Sequence, residues 1–139
     1  MIVVDTNVIG YLYLASPRSR QAEQALLKDA DWVAPLLWRS ELRNVLAVYI
    51  RKRWLSLEAS QQVMAEALSL LEDQEYAVDS GQVLKLAAIS NCSAYDCEFV
   101  ALAQELGIPL VTVDKQVLKD FPKAAMSLAA FVGGQEAGG

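Results

Sequence analysis

Histidine is missing from this 139-residue sequence altogether, and cysteine occurs only twice. Without histidine there are no serine–histidine or cysteine–histidine nucleophile pairs and no histidine-ligated zinc or iron. Two thiols alone make a poor zinc site, so Cys92 and Cys97 read as small apolar residues. No apolar run is long enough to span a bilayer and no signal peptide is evident, so a reduced cytoplasm is the expected setting. Cations are also scarce: 12 Lys and Arg against 17 Asp and Glu leave a net charge of −5. Such a surface as a whole does not attract nucleic acid, and any polyanion would have to be held by a local basic patch or through a cation. Chemistry is left to carboxylates, Ser and Thr, Lys and Arg, and metal ions.

What is abundant is apolar, 54% of the chain, enough for one domain with a full core. The chain opens on Ile2-Val3-Val4, which suits a strand buried on both faces, followed by Asp5-Thr6-Asn7, which suits the turn into a helix. Helices are expected over 8–14 and 18–28, then a minimal strand at 32–34. Pro35 would stand in the first turn of a long helix reaching about Arg53, with another helix from Ser56 to about Glu72. A strand at 76–78 leads to a helix capped by Asp79-Ser80. Ser93-Ala94-Tyr95-Asp96 has the form of a capping box for a helix that Gly107 closes. Residues 108–113 form the clearest later strand, ending in Asp114; a short helix over 115–119 and an edge strand at 125–128 follow. The pattern βααβααβααβαβ implies a three-layer α/β/α domain over residues 1–132, with a mostly parallel central sheet flanked by helices. Residues 133–139 read as a disordered tail.

Four of the acids differ from the rest. Asp5 and Asp114 follow buried strands, at the carboxyl edge where open α/β sheets bind ligands. Both have a competing role as helix caps, and Asp79 is read as an ordinary cap. Glu41 lies in line with Trp38, Val45 and Val48, inside the apolar stripe of its helix, while Arg39 and Arg43 point to other faces. Its partner is expected outside that helix. Asp96 begins the line Asp96, Phe99, Val100, Ala103, although a capping box would also explain it. Glu98 and Glu105 fall on a solvated side. Were the four to converge, two carboxylates 4 Å apart would repel by roughly 4 kcal/mol, against a domain stability of about 5 to 15 kcal/mol. Some would then be protonated or neutralised by a cation, and hard oxygen ligands suit Mg²⁺ or Mn²⁺.

Val4-Asp5-Thr6-Asn7, Ser40-Glu41-Leu42, Tyr95-Asp96 with its Ala-rich helix, and Val111-Thr112-Val113-Asp114 followed by Leu118 and Phe121-Pro122 resemble the PIN-domain ribonucleases. Within them the chain is most similar to the single-domain VapC-type toxins of toxin-antitoxin pairs. The resemblance implies a metal-dependent endoribonuclease, with Asp5, Glu41, Asp96 and Asp114 around one or two Mg²⁺ or Mn²⁺ ions. Thr6, Asn7 and Thr112 would support these acids, and a metal-activated water would hydrolyse the phosphodiester in line. Glu41 or Asp114 would orient that water. It also implies a homodimer silenced by a cognate antitoxin protein, with no membrane partner.

RNA on an acidic protein calls for local cations. Arg39, Arg43, Arg51, Lys52 and Arg53 share the Glu41 helix, and Lys115 and Lys119 follow Asp114; each reads equally as a phosphate contact or a solvated face. Of these, Arg39, Arg43 and Lys115 are the candidate RNA contacts. Trp38 and Tyr95 are expected to pack in the core rather than stack on bases. Two other readings stand beside the ribonuclease: a PIN-like interaction module that has lost its metal, and an Mg²⁺-dependent aspartate phosphatase or receiver-like domain. Asn7 stands where such a phosphatase asks for its second acid.

Overall fold

A computed structural model describes residues 1–133. Within them five strands, β1 (Ile2–Val4), β2 (Trp32–Pro35), β3 (Glu75–Tyr76), β4 (Leu110–Thr112) and β5 (Ala125–Ser127), form one sheet in the order β3-β2-β1-β4-β5. Every pairing is parallel. The central strands are buried at every position, which is why they read as unbroken apolar runs rather than alternating ones. Chain order runs outward from β1 to β3 on one side and from β4 to β5 on the other. The order therefore reverses between β1 and β4, and a crevice opens beyond their carboxyl ends.

Among the described residues eight helices complete the layers: α1 (Thr6–Tyr13), α2 (Ser19–Lys28), α3 (Trp38–Arg51), α4 (Leu57–Leu70), α5 (Ser80–Ala88), α6 (Ala94–Leu106), α7 (Lys115–Asp120) and α8 (Leu128–Val132). Buried on almost every side through Cys97, Phe99, Val100, Ala101, Leu102 and Ala103, α6 lies across β1, β2 and β4 with α5 outside it. Neighbouring packing links α1 to α2 and α3, α3 to α4, and α2 to α8. Gly107 ends α6 in the left-handed conformation at φ 66°, as the sequence predicts, where a side chain would be strained. Cys92 and Cys97 are buried free thiols.

The structure departs from the sequence reading in several places. Pro35 ends β2 instead of opening the long helix, which starts at Trp38. Ala34 and Leu36 donate their N–H groups to the carbonyls of Gln74 and Tyr76, while β1 pairs only as far as Val33, so nothing on that side needs the N–H that proline lacks. Strands β3 and β4 are shorter than expected, and α1 begins at Thr6 because Asp5 caps it. Five residues expected as strand end and coil form α8, capped by Ser127 Oγ. Gly133 closes α8 in the left-handed region, so the expected tail does not begin there; the rest of it lies outside the described residues.

Candidate active site

Each of the four singled-out acids is placed by a local rule of helix or strand chemistry. Asp5 is the N-cap of α1: one carboxylate oxygen accepts the Val8 N–H at 3.0 Å. The other accepts the Thr112 hydroxyl and, at 3.4 Å, the Val113 N–H, tying the end of β1 to the end of β4. Asp114 caps α7 by accepting the Val117 N–H at 3.0 Å, and its own N–H donates to Thr112 Oγ1 at 3.0 Å. Thr112, almost wholly buried, thus holds both strand-end acids at once. Capping and convergence are not rivals here: the cap aims each acid at the crevice.

Asp96 stands in the first turn of α6, where its N–H donates to Ser93 Oγ at 3.1 Å and its carboxylate is held in return by Ser93. Glu41 lies at the margin of the buried stripe of α3, which runs through Trp38, Leu42 and Leu46 rather than along Val45 and Val48. Its partner is indeed outside that helix: the buried Thr6 hydroxyl donates to Glu41 Oε1 at 2.7 Å.

All four carboxylates line one crevice of about 570 Å³, together with Thr6, Asn7, Ser40, Asn44, Tyr95 and Thr112. Burial raises the carboxyl of Asp5 above its ordinary value, and Asp114 adds to the effect against the lowering from Thr112, Val8 and Val113. Burial likewise raises Glu41 and Asp96; repulsion from Asp96 and Asp5 adds to the first, from Asp114 to the second. Among the described residues, no Lys or Arg lines the crevice to relieve this repulsion.

The donor chemistry fits a hard divalent cation: oxygen alone, anionic, gathered in a half-buried hollow and unneutralised by the protein. Among the described residues no three acids stand close enough to form a ready cage. Mg²⁺ does not demand one, since it keeps several waters and binds through one or two carboxylates. The residues present fit a hydrated ion in an open crevice rather than a closed cage.

Other expectations are placed differently. Arg39 makes a two-pronged ion pair with Glu75, which also accepts the Trp38 indole N–H at 2.8 Å, and it does not line the crevice. Arg43 and Lys115 are exposed beyond its lining. Trp38 is fully buried as expected, but Tyr95 is 64% exposed at the mouth of the crevice instead of packed in the core. Glu98 is not on a solvated side: it is half-buried, its carboxyl raised by burial, and it repels Glu41. Its place between the buried Cys97 and Phe99, at the start of the apolar run of α6, is the signal that periodicity overlooked. Ser40 and Asn44, one turn apart beside Glu41, were also missed.

The PIN domain family model matches residues 2–124. Ribonuclease VapC3 of Pyrobaculum aerophilum is 30% identical over 124 residues, spanning 87% of this chain and 95% of that protein. Among solved structures, PAE2754 of Pyrobaculum aerophilum superposes with a TM-score of 0.76 at 19% identity, covering 95% of this chain and 93% of that one. FitAcB of Neisseria gonorrhoeae does so with a TM-score of 0.69 at 19% identity, covering 92% and 98%.

Proposed function

The chain belongs to the PIN domain family, and on that premise we propose that it is a divalent-metal-dependent endoribonuclease, the toxin of a toxin-antitoxin pair. The ribonuclease relative supports the activity, and a match over 95% of its length supports carrying the whole reading over. Family membership leaves no ground for the phosphatase or receiver alternative. The observation that carries the proposal is the convergence of Asp5, Glu41, Asp96 and Asp114 on one crevice with no cationic side chain among its described lining.

Asp5, Asp96 and Asp114 would hold Mg²⁺ or Mn²⁺, with Glu41 completing the set. When bound, the ion supplies an activated water for in-line attack and neutralises charge on the phosphate. The protein's own part follows from its hydrogen bonds. Thr112 holds the Asp5 carboxylate and the backbone N–H of Asp114 through one hydroxyl, and Thr6, next to Asp5, fixes Glu41. Glu41, with its raised carboxyl and its free second oxygen, is placed to orient a water and accept its proton. Tyr95 and Asn44 at the rim meet the bases flanking the scissile bond. A cognate antitoxin protein, a homodimer and a cytoplasmic setting complete the proposal; no described helix is long and apolar enough to cross a membrane.

The deciding experiment compares wild type and Asp96→Asn on total RNA with Mn²⁺ and with chelator. Cleavage by wild type with the ion alone is the expected result. Equal cleavage by both proteins, or none by well-folded wild type freed of inhibitor, would overturn the assignment and leave a non-catalytic interaction module.

A further inference from the structure

A crevice walled by four acids and no described cation cannot by itself hold a polyanion along any length of its backbone. The positive charge is elsewhere. From Leu42 to Ala65 the chain carries Arg43, Arg51, Lys52 and Arg53 against a single acid, Glu58, a local excess of cations in a chain whose net charge is −5. Three of the four stand together at the far end of α3, exposed. Among the described residues neither Arg51 nor Arg53 has a side-chain partner, and Lys52 makes only a contact over the ring of Trp54, 4.6 Å from its centroid.

The architecture of this end is specific. Arg53 adopts the left-handed conformation at φ 60°, the place where helices commonly put glycine. Its N–H donates to the Ile50 carbonyl at 3.0 Å and the Trp54 N–H to the Tyr49 carbonyl at 2.9 Å, the paired bonds of a Schellman ending. Trp54 is thereby folded back edge-on against Tyr49, ring centroids 5.3 Å apart, yet stays 62% exposed. Beside it lies a hollow of about 380 Å³ lined by Ile50, Arg53, Trp54, Leu55, Ser56 and Leu57.

This end also faces the right way. Ser40 and Asn44 line the crevice from α3, and steps of four, three and four residues carry their line through Ala47 to Arg51. At 1.5 Å per residue, Arg51 stands about 16 Å along the helix from Ser40.

We propose that the α3–α4 tip is a second RNA-binding site, with Arg51, Lys52 and Arg53 on phosphates and an unpaired base stacked on Trp54. It grips single-stranded substrate a few nucleotides from the cut. Exposed aromatic plus unpaired cations is the chemistry of single-strand binding, and charge favours a polyanion over an apolar partner. The proposal takes its direction from the ribonuclease reading, but its test is independent of cleavage.

Binding of a fluorescent single-stranded RNA is measured with chelator present, over a range of salt, for the full chain and for Arg51→Gln, Lys52→Gln and Arg53→Gln combined. The expected result is an affinity about tenfold lower or more at 0.1 M salt, and a log–log salt slope shallower by about two. Trp32 and Trp38 are fully buried, so tryptophan quenching by RNA reports Trp54; single-stranded RNA should quench it, duplex DNA should not, and Trp54→Phe should remove the response. A salt slope unchanged by the triple substitution, or fluorescence unmoved by RNA, overturns the proposal and leaves the tip to a protein partner. Wild type that cleaves nothing yet keeps the slope and the quenching would sink the ribonuclease reading and leave this one standing.

Discussion

At the scale of single residues, Thr112 and Thr6 do more than their size suggests. Each is a buried hydroxyl whose hydrogen bond aims a carboxylate, so Thr112→Val and Thr6→Val should cost roughly ten- to a hundredfold in ion affinity or cleavage rate with the fold intact. Metal titration alongside circular dichroism separates the two effects. The acids themselves set a pH dependence whose sign is fixed. Burial raises Asp5, Glu41 and Asp96 above their unfolded values, so between those values the folded chain holds more protons than the unfolded one. Their contribution to the stability of ion-free protein is fullest below the unfolded values and is lost as pH rises through the folded ones. Glu75, lowered by Arg39, works the opposite way as pH falls through its depressed folded value. Thermal melts in chelator should therefore rise as pH drops from neutrality toward the ordinary carboxylate range, and Asp96→Asn should flatten that rise. An identical pH profile for wild type and variant would refute this account. The strand-end acids were legible because β-branched runs stop abruptly at Asp5 and Asp114. Tyr95 and Glu98 were not, since their exposure depends on what packs across α6, which no spacing along α6 records.

At the scale of elements, the ends of helices carry both the fold and the site. Ser93 caps α6 and grips Asp96, so Ser93→Ala should cost about 0.5 to 2 kcal/mol in unfolding free energy and also loosen the acid, lowering activity in the folded fraction. Gly107→Ala should destabilise by about 1 kcal/mol from backbone strain alone, with no change in activity per folded molecule. Arg53→Gly is the informative contrast. Relief of the left-handed strain should stabilise the chain by about 1 kcal/mol in denaturant titrations, while RNA affinity falls. Caps were the most readable feature of the sequence: Asp79, Ser93 and Gly107 all sit where their types predict. Pro35 was misread because proline suits both a helix start and the unpaired end of a strand, and only the short reach of β1 decides between them.

For the whole molecule, an acidic crevice that nothing in the described chain neutralises should make divalent ions a stabilising ligand. At a concentration one hundred times the dissociation constant, Mn²⁺ should add about 2.7 kcal/mol, a rise of several degrees in Tm that chelator reverses and that is lost in Asp5→Asn. The parallel sheet and its helical layers followed from the alternation of short apolar runs with longer amphipathic ones. The reversal of strand order between β1 and β4 did not, because the pairing of distant strands leaves no mark in local composition. That pairing has a consequence for biosynthesis. The hydroxyl that orients Asp5 is 107 positions further along the chain. A polypeptide still emerging from the ribosome, or one cut short by premature termination, carries the first acid without the strand that aims it. On the proposed ribonuclease reading, a chain that ends before Thr112 should therefore cleave no RNA, and only copies translated past β4 should be active.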